Sequence, residues 1–295
     1  MKAEYFSIIR QGGFSSVRLP INWEVHATKV FPYTIDSVFS NRVKWAVEEC
    51  LKNGMMIILV FQNYPGLVAS PASEKERFRY IWNQVAEIFK DYSNDIIFEI
   101  FNEPNGNLTT DLWNTLLEES IKQIRLTNPN RTLIVEPADW THISSLAQLR
   151  LPATEKNLIL SFHYYDPFTF THQGAEWVEG SSAWLGTTWR GSPDEIFLIK
   201  ENFFVVYNWA VRQEIPVNIG EFGAYSKADM DSRVRWTTTV ARSAEELGFN
   251  WHYWEFCAGF GVYNRTTSSY IPELLQALIP FNRLNKQTSV VQLGK

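Results

Sequence analysis

Short apolar runs alternate with longer segments of helical period along most of the 295 residues, and this rhythm constrains the fold more than any other feature. The runs are SSVRLPI (15–21), MMIILVF (55–61), IIFEIF (96–101), TLIVEP (132–137), LILSFH (158–163), PVNIGE (216–221) and FNWHYW (249–254). Several are apolar on consecutive positions, the pattern of parallel strands covered on both faces. Helical segments lie between them. Thr34 precedes one that Gly54 closes, and Ser73 with Glu76 forms a capping-box pattern ahead of another. Further helices fit 109–127, 194–214, 227–247 and 271–279, and the opening MKAEYFSIIRQGG reads as an amphipathic helix, not a signal peptide.

This alternation predicts a parallel sheet. Without a linker or low-complexity stretch, it favours a single α/β domain over 1–295, a (β/α)8 TIM barrel. An open doubly wound sheet is the alternative, but no GxGxxG or GxxxxGK[ST] follows the first run. The count is one strand short, with the first strand missing at the N-terminal end. In the tail 281–295, Ser289 to Leu293 has strand character and is a candidate closing strand in that place; a tail without structure is the other reading.

Net charge is −5 and the 27 basic residues are dispersed, which argues against nucleic acid and an anionic membrane surface as partners. No apolar run is long enough to span a bilayer. Cys50 and Cys257 read as two buried thiols, and no Cys, His or carboxylate spacing calls for a metal or other cofactor. Aromatic residues reach 15%, which suits surfaces that stack on sugar rings or bases, although burial accounts for most of them.

In a barrel, chemistry sits at the C-terminal ends of the strands. The polar residues there are Arg18, Gln62, Asn63, Asn102, Glu103, Glu136, His163, Tyr165, Glu221, Trp254 and Glu255. Two ends stand out. Phe98 to Pro104 ends in a carboxylate followed by proline, and Asn218 to Gly223 sets Glu221 between two glycines that would let the backbone turn sharply.

Phe101-Asn102-Glu103-Pro104, His163-Tyr164-Tyr165, Ile219-Gly220-Glu221-Phe222-Gly223 and Trp254-Glu255-Phe256 resemble the signatures of glycoside hydrolase family 5, the bacterial endo-β-1,4-glucanases (cellulases) above all. Gly13 to Ile21 and His172 to Trp177 fit as well. The resemblance implies an endo-acting retaining hydrolase of β-1,4-glucan, and of mannan as a further substrate. Glu103 would be the general acid/base, Glu221 the nucleophile, and Arg18 would sit beside Glu221. Asn102 would bind the sugar 2-hydroxyl, His163 and Tyr165 would fix nucleophile and sugar, and Trp254 would be a stacking floor or a core residue. Trp177, Trp184 and Trp189 lie on the long loop 164–193, which looks like a cleft wall; each alone reads as a packing residue before a ligand contact, and the cluster as a sugar platform, with His26 and Glu255 as weaker cleft candidates. His142, His172 and His252 read as structural. Gln62-Asn63 stands where the family carries two histidines, which puts sugar recognition in question more than bond cleavage. The implied partner is a β-linked polysaccharide and the implied location is secreted, although this chain shows no signal peptide. A weakened or inactive barrel that only binds polysaccharide is the competing reading; an unrelated metabolic barrel is disfavoured because Trp254 and Phe256 occupy the place of a Gly-rich phosphate loop.

Overall fold

The structure is a computed structural model that describes residues 1–280. Its seven strands are β1 (Ser16–Ile21), β2 (Met56–Phe61), β3 (Ile96–Glu99), β4 (Leu133–Val135), β5 (Leu158–Tyr164), β6 (Val217–Phe222) and β7 (Asn250–Tyr253). Each apolar run named above marks one of them, with β5 and β6 reaching one residue further. They form a parallel sheet whose order follows the chain from β1 to β7, with helices between, the pattern of a (β/α)8 TIM barrel one strand short among the described residues. The candidate closing strand lies outside the described residues.

Two compact units are distinguished, Met1–Phe162 and the chain from His163 onward. The first holds β1 to β4, most of β5, and the helices Ala3–Gln11, Ser37–Lys52, Pro71–Phe89 and Thr110–Arg125. Its sheet shows why the strand signal is continuous: Ile57 to Phe61 are all at most 2% exposed, because both faces are covered. One face carries Ile58, Val60 and Ile134, with Ile97 and Ile159 packed against them. The other face carries aromatics that meet the helices. Phe61 packs on Phe78 at 4.9 Å between ring centroids, and Phe98 on Trp82 at 5.5 Å. Trp82 and Trp113 are fully buried, and each satisfies its indole N–H on a backbone carbonyl, of Ile100 and Glu136 respectively. In this unit many of the aromatics therefore belong to the sheet–helix interface, not to a sugar-binding surface.

The second unit holds the end of β5, β6, β7, the helices Pro193–Gln213, Met230–Glu246 and Pro272–Leu278, and a two-stranded ribbon of Tyr263–Asn264 with Ser269–Tyr270. Helix starts correct two expectations. The capping box at Ser73 and Glu76 does not form: helix Pro71–Phe89 begins three residues earlier than that pattern implies, with Pro71 in its first turn, and the Ser73 hydroxyl donates to the Ser70 carbonyl. Asp36, not Thr34, caps Ser37–Lys52 by accepting the N–H groups of Val38 and Phe39. A reciprocal box does exist at Ser192 and Glu195. Cys50 is buried, which pushes its thiol up to about 12, whereas Cys257 is only partly buried. No helix among the described residues is long and apolar enough to cross a membrane.

Candidate active site

In the first unit Glu99, Asn102 and Glu136 converge on Arg18. Its side chain is 4% exposed. The guanidinium donates from Nε to Glu99 Oε2 at 2.9 Å, from Nη2 to Glu99 Oε1, and from Nη2 to Asn102 Oδ1 at 2.7 Å. Glu99, in the middle of an apolar strand, was not among the sequence candidates. Its signal was there to read: a carboxylate inside IIFEIF must find a cation once both faces of the strand are covered. Glu136, 1% exposed, follows β4 and has Oε1 4.0 Å from the same guanidinium. One cation thus stands between two buried carboxylates. Burial raises Glu99, Arg18 opposes it and the Glu136 charge adds to it, and the carboxyl is pushed up to about 8. Burial outweighs the guanidinium beside it, so the Glu99 carboxyl keeps a proton near neutral pH.

Glu103 lies just beyond β3 in left-handed backbone, φ 51°. A residue with a Cβ holds that conformation at a cost of about 1–2 kcal/mol, so its surroundings must impose it. Glu136 Oε2 accepts the Glu103 N–H at 2.8 Å, and the Asn105 side chain donates to the Glu103 carbonyl at 2.7 Å. The Glu103 carboxylate accepts from Asn102 Nδ2 at 3.3 Å. Because Arg18 takes the Asn102 oxygen, the amide is held with its NH2 toward Glu103.

Gln62 and Asn63 follow β2. Gln62 Oε1 is buried and has no hydrogen-bond partner among the described residues, and the same holds for Oδ1 of Asn22, which follows the adjacent strand β1. Asn63 is exposed. His26 stacks on Phe39 at 3.6 Å between centroids.

In the second unit Glu221 sits on β6 and is 5% exposed. The Tyr165 hydroxyl donates to its Oε2 at 2.9 Å, and His163 Nδ1 lies 3.9 Å from that oxygen. The register between β6 and β7 shifts between Ile219 and Phe222, an irregularity of the kind that re-aims a side chain, and Glu221 falls inside it. The flanking glycines do not turn the chain, since neither has positive φ. Gly223 is there for space: a Cβ on it would lie 2.2 Å from the Trp254 carbonyl oxygen. Gly223→Ala should therefore destabilise the fold by about 3 kcal/mol, read as a lowered urea midpoint at unchanged slope. A midpoint matching wild type would show that the strands can part there at no cost.

Trp254 is partly buried against Ala175, Tyr225 and Phe260. Trp177 is 61% exposed and packs edge-on to Tyr225 at 5.0 Å, so it keeps a free ring face. Trp189, expected on the cleft wall, is instead a core residue at 2% exposed. Trp184 is half-buried, edge-on to Phe168. Glu255, a weaker cleft candidate, has its carboxylate taken by the backbone N–H groups of Cys257, Ala258 and Phe260, and holds a loop. His142 accepts the Ser144 N–H as a cap, and His252 meets Asn218 Oδ1 at 3.0 Å. His172 stacks on Phe168 at 4.0 Å, and burial lowers it to about 4.

Glu99 and His172 oppose each other in the pH dependence of stability. Between about 4.5 and 8, folded Glu99 keeps a proton that the unfolded chain has released, so stability falls as pH rises through that window. Between 6.5 and about 4, unfolded His172 binds a proton that the folded protein refuses, so stability falls as pH drops. The melting temperature should thus be higher at pH 6.5 than at about pH 8.5, and His172→Phe should flatten the acid limb. Equal melting temperatures at about pH 6.5 and pH 8.5 would contradict the retained carboxyl proton.

The chain is similar to known proteins. A sequence profile described as cellulase (glycosyl hydrolase family 5) matches residues 1–259. Endoglucanase H of Acetivibrio thermocellus is 34% identical over 280 residues, which cover 93% of this chain and 30% of that protein. Cellulase/esterase CelE of the same organism is 29% identical, with 92% and 35% covered. The chain spans about a third of the length of these two relatives. Among solved structures, Thermotoga maritima Cel5A in complex with mannotriose superposes with a TM-score of 0.93 at 46% identity, covering 95% of this chain and 90% of that one. The cellulose synthase subunit Z of Clostridioides difficile gives 0.92 at 34% identity, with 95% and 92% covered. A profile match over residues 1–259, most of the chain, identifies it: the chain belongs to glycoside hydrolase family 5.

Proposed function

We propose that the protein is an endo-acting retaining glycosidase of β-1,4-linked glucan, with mannan as a second substrate, secreted to meet its polymer. Glu221 attacks the anomeric carbon as the glycosidic bond breaks, while Glu103 gives its proton to the leaving oxygen. The resulting glycosyl ester is then opened by water, whose proton returns to Glu103, and Glu221 leaves as the free carboxylate. This chemistry requires the two carboxyl groups about 5–5.5 Å apart in the working enzyme.

The observation that carries the reading is the Tyr165 hydroxyl donating to the buried Glu221 carboxylate at 2.9 Å. A phenol O–H holds the carboxylate at a fixed angle without neutralising it, as a nucleophile needs. Asn102 also supports the reading: with its oxygen held by Arg18, its NH2 is the group left to meet a sugar hydroxyl beside Glu103. Gln62 and Asn63, amides able to hydrogen-bond a hydroxyl, stand where the family carries two histidines. Trp254 and the free face of Trp177 supply stacking surface. The relatives' cellobiose and mannotriose complexes support both substrates.

Hydrolysis of cellotetraose followed by proton NMR should show the β-anomer first, with mutarotation later. Initial α-anomer would exclude double displacement. Binding of β-glucan and galactomannan without reducing-end release would favour the polysaccharide-binding alternative.

A further inference from the structure

We infer that the turn Glu136–Thr141 is a bracket that positions Glu103, with Glu136 as a positioning residue that makes no bond to substrate. The inference rests on the reading of Glu103 as the acid/base.

Three observations carry it. First, Glu136 Oε2 accepts the backbone N–H of Glu103, the residue in left-handed backbone, and Thr141 Oγ1 donates to that same oxygen at 2.7 Å. The carboxylate oxygen that holds Glu103 is thus itself held. Second, Asp139, Trp140 and Thr141 are three consecutive left-handed residues, φ 58°, 59° and 59°, none of them glycine. Backbone of that kind persists only where the surroundings over-determine it, and it collects at working sites. Here it delivers the Thr141 hydroxyl to Glu136. It also turns the Trp140 N–H onto the Pro104 carbonyl at 3.2 Å, so the turn grips the chain one residue past Glu103 as well as at it. Third, the grip is buried: Thr141 is 0% and Glu136 1% exposed, and the Glu136 carbonyl is fixed by the Trp113 indole at 2.8 Å. Trp140 itself is 60% exposed, so the turn is not there to bury its largest side chain.

The function follows from the geometry. A general acid must hold its proton within hydrogen-bond reach of the leaving oxygen, and a displacement of about 1 Å costs on the order of 100-fold. Two backbone bonds on successive residues fix where the Glu103 side chain starts.

A positioning role for an acid has a signature that a general structural role lacks. Glycosides with activated leaving groups depart without a proton, so only unactivated substrates should suffer. Thr141→Val and Glu136→Ala should each lose about 100-fold in kcat/KM on phenyl β-cellobioside, yet only about threefold on the 2,4-dinitrophenyl analogue. Glu136→Gln, which keeps an oxygen acceptor, should recover most of the phenyl loss. Thr141→Val is nearly isosteric and carries the test if Glu136→Ala does not fold, with melting temperatures run on each variant. Equal losses on both substrates, or none, overturn the inference. Glu103→Ala in parallel separates the two claims: if it shows no leaving-group dependence, the acid/base reading itself fails whatever Glu136 does.

Discussion

Glu221→Gln should retain less than about one part in 10,000 of wild-type kcat on β-glucan, the largest loss expected from any single substitution in this chain. The amide nitrogen is no nucleophile toward the anomeric carbon, so the covalent route closes. The fold should survive, because the glutamine oxygen can still accept the Tyr165 hydroxyl at the place where Oε2 does. Activity and stability therefore separate, with melting close to wild type and turnover gone. A second measurement fixes the role. A 2-deoxy-2-fluoro-β-cellobioside with a dinitrophenolate leaving group should esterify wild type, losing the phenolate, and mass spectrometry of the digest should place the sugar on the peptide carrying Glu221. A label on another carboxylate would remove the nucleophile assignment.

The Glu103→Ala protein should behave differently. Its kcat on phenyl β-cellobioside should fall by about 10²–10⁴, the usual contribution of general acid–base catalysis. Azide should restore turnover on the dinitrophenyl substrate. The first step there needs no acid, and azide, unlike water, needs no base to attack the glycosyl ester. The product should be β-cellobiosyl azide, formed by a second inversion at the anomeric carbon as Glu221 departs. Absence of rescue, or an α-azide, would show that Glu103 does not serve both half-reactions.

Much of the fold and of the site is legible in the amino-acid sequence. The apolar runs mark the strands because a strand covered on both faces has no polar positions to interrupt it, as Ile57 to Phe61 illustrate. The carboxylates stand out because Glu103 and Glu221 fall where those runs stop. Helix starts are less legible. Ser73 and Glu76 satisfy the box pattern, but Pro71 begins the helix earlier because a proline with φ already set and no N–H to satisfy suits the first turn.

Chain order and local chemistry were enough to determine the β/α alternation, the polar residues at the strand ends and the family. Tertiary structure alone decided who serves whom at those ends. Arg18 meets Glu99 across 81 residues, Glu136 holds the Glu103 backbone across 33, and Gly223 is small because the Trp254 carbonyl passes over it. It also decided that Trp189 is core while Trp177 faces outward. The reason is the same throughout. Periodicity and capping are set by neighbours a few positions away, whereas a buried charge, an imposed left-handed turn or a close backbone approach is set by residues that only folding brings into contact.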